Sequence, residues 1–103
     1  MNKQFTLHYL PLFEQDLASA RDYIIFQLKN PSAALRLVED TERAIIKRLN
    51  NPLGFEPYNS AKDRKQSYYR INIRNFSVFY VVIGDVMEVR RFVYSKRNLS
   101  SII

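Results

Sequence analysis

The sequence contains no cysteine and only one histidine, His8. No disulfide can form without cysteine, and a lone histidine with no cysteine or carboxylate beside it is no sign of a metal site. No stretch near the N-terminus resembles a signal peptide, and no apolar run reaches the ~20 residues that span a bilayer. We therefore expect a cytoplasmic protein that needs no cofactor and no membrane, and we assign His8 no chemistry.

The positive charge is concentrated in the second half of the chain. Up to Tyr58, seven basic residues are matched by seven acidic ones. From Asn59 onward, nine basic residues face only three acidic ones. This asymmetry indicates an anionic partner, either nucleic acid or an acidic protein segment. The alternative is a solvated surface whose only effect is solubility.

Two helices are predicted for the first half, at about residues 12–29 and 31–50. Asn30 suits an N-cap and Pro31 suits the first position of the second helix. Because the connection between the helices is short, they should form an antiparallel hairpin. A short strand at residues 5–9 should precede them. The apolar stripe of the first helix consists of Phe13, Leu17, Ala20, Ile24 and Leu28.

Three strands are predicted for the second half. Residues 68–74 alternate between apolar and polar, and residues 78–83 form a continuous apolar run that suits a central strand. Gly84 and Asp85 then supply a hairpin turn into a last strand at residues 86–94. The order β-α-α-β-β-β in a chain of this length favours one α+β domain, with the helical hairpin on one face of an antiparallel sheet.

The helices and one sheet face should share a single core, and the opposite sheet face has no evident cover. Arg70, Arg74, Phe79 and Val81 are expected on that open face, where aromatic and basic side chains together are typical of a binding surface. Arg91 has an alternative, architectural role if it lies on the buried face and pairs with a helix carboxylate such as Glu39 or Glu42. The predicted core consists of Leu17, Ala20, Ile24, Leu28, Val38, Ile45, Leu49, Ile71, Ile73, Val78, Tyr80, Val82 and Val89.

The strand motifs, in their order and spacing, resemble those of the RelE/ParE superfamily of bacterial type II toxins. The motifs are residues 69–71, residues 75–80, the turn at residues 84–85 and the basic ending at residues 93–98. Residues 20–24 and 30–34 also match the helical pattern of the ParE branch, so the resemblance covers nearly the whole chain, residues 1–103. It implies a toxin that a cognate antitoxin neutralises. The antitoxin's disordered, acidic C-terminal segment would fold over the helical hairpin and the open sheet surface.

The superfamily contains two activities. RelE-like members cut mRNA on the ribosome, whereas ParE-like members inhibit DNA gyrase. The RelE-like site uses basic residues and a tyrosine, and this chain has Asn72, Ser77 and Ile103 in three of those places. The resemblance therefore favours the ParE-like activity. If the protein is instead a nuclease, Arg70, Tyr94 and Arg97 are its candidate catalytic residues.

Seven residues are candidates for partner contacts: Arg70, Arg74, Phe79, Val81, Tyr94, Lys96 and Arg97. For Arg70 and Arg74 the alternative is a solvated strand face, and for Tyr94 it is simple packing at the end of the sheet. A third hypothesis is a single-stranded RNA-binding module, in which Tyr68, Phe79 and Tyr94 stack on bases.

Overall fold

The computed structural model of the protein describes residues 4–58 and 66–96. Arg97 and Ile103 therefore lie outside the described residues. The predicted order of elements is confirmed, with one α+β arrangement of two helices and four strands. The elements are β1 (Thr6–Tyr9), α1 (Pro11–Asp22), a π-helix (Tyr23–Gln27), α2 (Pro31–Arg48), β2 (Tyr69–Ile73), β3 (Phe76–Ile83) and β4 (Val86–Tyr94).

The four strands form one sheet in the order β1-β4-β3-β2. The pairs β2–β3 and β3–β4 are antiparallel, as predicted. The prediction of a wholly antiparallel sheet is wrong for β1, which runs parallel to β4 with Thr6 opposite Val86. Parallel neighbours need a long connection, and the helical hairpin together with β2 and β3 supplies it. Neither helix of the described segments is long and apolar enough to cross a membrane.

In the helical hairpin, the start of α2 agrees with the prediction, whereas the end of the first helix differs from it. The Asn30 side chain accepts a hydrogen bond from the Ala33 N–H at 3.2 Å, which confirms Asn30 as the N-cap of α2. The end of α1 widens into the π-helix, where the Leu28 N–H donates to the Tyr23 carbonyl at 3.2 Å. A bond that spans five residues changes the rotation per turn and turns Leu28 away from the core. Leu28 is 57% exposed, so its predicted burial is wrong.

The core lies between the helices and one face of the sheet. Of the predicted core, Ile45, Ile71, Ile73, Val78, Tyr80 and Val89 are buried. Leu17, Ala20, Ile24, Leu49 and Val82 are partly buried and pack against them, and Val38 is half-buried. The predicted core omitted five residues that are buried in this cluster: Phe13, Leu37, Tyr69, Met87 and Phe92.

The sheet face opposite the helices, called the outer face from here on, is covered rather than open. Phe79 and Val81 are fully buried there, in a second cluster with Tyr68 and Val93. Tyr58, from the segment after α2, packs edge-on against Phe79 with ring centroids 5.1 Å apart. The Tyr58 N–H donates to the Tyr68 carbonyl at 2.7 Å, which holds this segment against the sheet. The expectation that Phe79 and Val81 form an exposed contact surface is therefore wrong, because these aromatic side chains shield them from water.

Candidate functional site

Arg70 lies on the edge strand β2 and reaches across the outer face toward β3. Its Nε donates to the Ser77 Oγ at 2.9 Å. Its guanidinium carbon lies 5.6 Å from the centroid of the Tyr58 ring and 5.8 Å from that of the Phe79 ring. A planar guanidinium is attracted to aromatic rings at such distances. One hydrogen bond and two rings thus fix the direction of a half-buried charge.

Ser77 is the centre of a small polar cluster at this end of the sheet. Its side chain is fully buried, and its Oγ lies 2.8 Å from the Ser95 Oγ and 3.4 Å from the Asn72 Oδ1. Ser77 comes from β3, Arg70 and Asn72 from β2, and Ser95 directly follows β4. We call these four residues the Arg70 cluster. Because its hydroxyl has three neighbours, Ser77 serves as a positioning group for Arg70.

Arg70 differs from the other arginines of the sheet in having no acidic partner among the described residues. Arg74 pairs with Asp40 of α2. Arg90 pairs with Glu88 at 2.7 Å. Within residues 4–58 and 66–96, no carboxylate contacts Arg70, and the only hydrogen bond from its side chain is the one to Ser77.

The second arginine of the outer face, Arg90, belongs to a neutralised network. It donates to the Glu88 Oε2 at 2.7 Å and to the Tyr68 hydroxyl at 3.4 Å, and the His8 Nδ1 lies 3.7 Å from Glu88. Burial, the largest single influence, lowers the pKa of Arg90, but the hydrogen bonds and the charge interactions with Tyr68 and Glu88 together outweigh it, so that this pKa is raised. Arg90 is therefore a charged but paired group.

Arg74 and Arg91 hold elements together. Arg74 sits in the β2–β3 turn with a positive φ of 55°, and its ion pair with Asp40 ties that turn to α2. Arg91 donates to both carboxylate oxygens of Asp16, at 2.8 and 3.3 Å, and the Phe92 N–H donates to the same side chain at 3.0 Å. The helix carboxylate that pairs with Arg91 is thus Asp16 of α1, not Glu39 or Glu42. The pairing of β1 with β4 ends at Val89, so among the described residues the Phe92 N–H has no strand partner on that side. Asp16 accepts its hydrogen bond instead.

Tyr94 lies on the helix side of the sheet, opposite to Arg70. It pairs with Phe76, and the two ring centroids are 5.7 Å apart. The structure therefore does not bring Arg70 and Tyr94 into one nuclease centre, and Arg97 lies outside the described residues. Lys96 is exposed directly after Ser95. The RNA-binding hypothesis loses two of its three stacking groups, because Tyr68 and Phe79 are buried.

An apolar groove opens beside Tyr94, between the end of the helical hairpin and the ends of β3 and β4. Its volume is about 820 Å³. Tyr23 and Leu28 on its helical wall are 58% and 57% exposed. The groove is also lined by Ile24 from the π-helix and by Phe76 and Phe92 from the strands. We call this feature the apolar groove.

Two residues that complete the outer face, Tyr58 and Ser95, were not predicted from the sequence. One signal could have indicated Tyr58: it is an aromatic residue in the long connection that precedes β2. With one face of the sheet already assigned to the core, its ring was available to cover the other face. Ser95 carried no such signal, because its contact with Ser77 depends on the pairing of β3 with β4.

Comparison with known proteins agrees with this architecture. The family described as "ParE toxin of type II toxin-antitoxin system, parDE" matches residues 7–99. No curated protein matches the sequence. Among solved structures, a chain of the "Chromosomal ParDE TA system from P. aeruginosa" superposes with a TM-score of 0.71 at 18% identity, covering 91% of this chain and 99% of that chain. Identity this low supports the fold alone, whereas the family match spans most of the sequence. The predicted RelE/ParE resemblance is confirmed, and the chain belongs to the ParE toxin family of type II toxin-antitoxin systems.

Proposed function

We propose that the protein inhibits DNA gyrase in the cytoplasm and is neutralised by a cognate antitoxin. Membership of the ParE toxin family supports the toxin role. The observation that favours gyrase over the ribosome is the state of Ser77. It stands where the RelE-like pattern has an arginine, and its buried hydroxyl is already held by Arg70, Ser95 and Asn72.

Cleavage of mRNA through its 2′-hydroxyl needs one group to activate that hydroxyl, one to neutralise the phosphate and one to protonate the leaving oxygen. In the Arg70 cluster, only Arg70 carries a charge, and Asn72 and the two serines are poor acids and bases. Tyr94 lies on the other side of the sheet. Loss of one such catalytic group typically lowers the rate of cleavage on the order of 10²–10³. The Arg70 cluster lacks both a group to activate the 2′-hydroxyl and a group to protonate the leaving oxygen, which argues against nuclease activity.

The apolar groove supports the antitoxin part of the proposal. Monomeric proteins rarely leave a large contiguous apolar surface in water, and such surfaces usually mark contacts with other proteins. Because the apolar outer face is covered, the groove is the surface that we assign to an antitoxin segment. A disordered segment with apolar and acidic residues can fold into it, and the excess of basic residues in the second half of the toxin would steer its approach.

Two assays on one preparation test the choice of target. The toxin is added to programmed ribosomes carrying a defined mRNA, and to gyrase acting on relaxed plasmid. We expect supercoiling to stop while the mRNA stays intact, and we expect the antitoxin to restore supercoiling. Codon-specific cuts with normal supercoiling would contradict the proposal and indicate the RelE-like alternative.

A pair of charge variants tests where toxicity resides. Lys96→Ala combined with Arg97→Ala should relieve growth inhibition, while folding and antitoxin binding remain, because Lys96 is exposed and exposed charges contribute little to stability. The matched control, Arg36→Ala combined with Lys47→Ala, removes two exposed charges from α2. Equal relief by both variants would show a general charge effect and would remove this role from the C-terminal basic residues.

A further inference from the structure

We propose that Arg70 binds a DNA phosphate when the toxin engages gyrase. The inference rests on the proposed function, because gyrase is the DNA-bound target in that proposal. It assigns to Arg70 a ligand chemistry, a phosphodiester, and a role separate from catalysis.

Among the described residues, no carboxylate balances the charge of Arg70. A half-buried charge without a partner is unfavourable, because it has given up part of its hydration without gaining an opposite charge. Arg74, Arg90 and Arg91 all have carboxylate partners. An anion from outside would supply the partner that the described residues do not give Arg70.

The Arg70 side chain is already oriented by its neighbours. Its Nε is bound to Ser77, and the Tyr58 and Phe79 rings lie beside its guanidinium. The two terminal nitrogens make no hydrogen bond to the described residues, so their N–H groups are available as a fork. A fork of this kind matches two oxygens of one phosphate. Because the side chain is fixed beforehand, little conformational entropy is lost when the anion binds.

The surroundings favour a phosphodiester over a carboxylate. The Ser95 hydroxyl and the Asn72 side chain flank Ser77 and add polar groups for the further oxygens of a phosphate. The next residue after Ser95 is Lys96, an exposed cation that adds a second positive charge near this cluster in sequence. From Asn59 onward the chain carries nine basic and three acidic residues, and such an excess suits a polyanion with regularly spaced charges.

The test measures binding of a short fluorescent DNA duplex by anisotropy across a range of salt concentrations. Arg70→Gln should weaken binding about tenfold and lower the slope of log K against log salt by about 0.9, the contribution of one phosphate contact. Arg36→Gln removes the same charge from an exposed position on α2 and should have little effect. Arg70→Lys keeps the charge without the fork, so its affinity should fall between those of wild type and Arg70→Gln.

Several outcomes would overturn the phosphate site. One is an equal loss in Arg70→Gln and Arg36→Gln, and another is an equal effect of Arg70→Gln on binding of polyglutamate, which indicates a carboxylate partner. Stronger, Arg70-dependent binding of single-stranded RNA would overturn the choice of DNA. Thermal melting of each variant checks its folding, and Arg70→Lys provides the decision if Arg70→Gln does not fold.

The supercoiling assay separates this inference from the proposed function. If wild type inhibits gyrase and Arg70→Gln inhibits it equally, the contact with DNA in the gyrase complex is overturned while the function stands. If wild type binds DNA through Arg70 but leaves gyrase active, the phosphate site is supported and the gyrase function fails.

Discussion

At the scale of single residues, Tyr80 shows how one buried hydroxyl joins the sheet to the segment after α2. The hydroxyl donates to the Pro52 carbonyl at 2.8 Å and accepts from the Arg48 Nη1 at 2.9 Å. Arg48 in turn lies over the Phe55 ring, 3.5 Å from its centroid. The sequence predicted that Tyr80 is buried, since its strand is apolar. It did not reveal the two partners of the hydroxyl, because both come from a region more than two dozen residues away.

The pKa of Tyr80 leads to a prediction at alkaline pH. Burial raises this pKa, and the hydrogen bond and charge of Arg48 only partly offset it. Burial also raises the pKa of Tyr9, with Glu42 and Glu14 acting in the same direction. The folded state thus favours both protonated hydroxyls. Their stabilisation is complete below the ordinary tyrosine pKa of about 10 and is lost as the pH rises through the folded-state pKa.

Tyr80→Phe should lower the free energy of unfolding by about 1–2 kcal/mol near neutral pH, because Pro52 and Arg48 lose a buried partner. It should also make the decline in stability above about pH 10 shallower than in wild type. Urea unfolding near neutral pH and at alkaline pH measures both effects. Tyr23→Phe, at an exposed ring, is the control and should match wild type. An unchanged alkaline decline in Tyr80→Phe would contradict the assignment to Tyr80.

At the scale of elements, helix caps and turns could be predicted from the sequence where a few neighbouring residues determine the backbone conformation. The N-cap Asn30 and the turn at Gly84, with its positive φ of 61°, both follow from residue type. The π-helix did not, because the apolar spacing that ends at Leu28 fits an uninterrupted α-helix. The parallel pairing of β1 and the cover that Tyr58 gives Phe79 also escaped prediction, since both depend on contacts between distant segments.

The cap of α2 is testable by itself. Asn30→Ala removes the acceptor for the Ala33 N–H and should lower the free energy of unfolding by about 1 kcal/mol. Asn30→Asp keeps an oxygen at the same place and should retain most of the stability, because Asp and Asn cap helices about equally well. Urea titrations with equal m-values would measure the difference. Equal destabilisation by both variants would show that the side-chain acceptor is not what stabilises this end.

At the scale of the whole molecule, the sheet separates two surfaces of different chemistry. The apolar groove, with Tyr94 and Phe76, lies on the helix side. The Arg70 cluster lies on the outer face, where the guanidinium sits beside Tyr58 and Phe79. In the proposed function, an apolar segment of an antitoxin and a charged partner would therefore have separate places to bind. The sequence analysis placed the antitoxin segment over the helical hairpin and the open sheet face. Because Phe79 and Val81 are covered, we propose that the apolar contact is made in the groove instead.

This separation predicts that antitoxin binding can be lost without loss of toxicity. Leu28→Glu places a charge on the exposed wall of the apolar groove, where an incoming apolar segment would bury it. Binding of the antitoxin should weaken about 30-fold or more, since burying an unpaired charge costs at least about 2 kcal/mol. Gyrase inhibition should persist, because the outer face is unchanged. Cells that express Leu28→Glu together with the antitoxin should then stop growing, whereas Leu35→Glu, at a similarly exposed leucine on α2, should remain under antitoxin control. Calorimetric titration of antitoxin into each variant checks the affinities, and rescue of both variants by the antitoxin would show that it binds elsewhere.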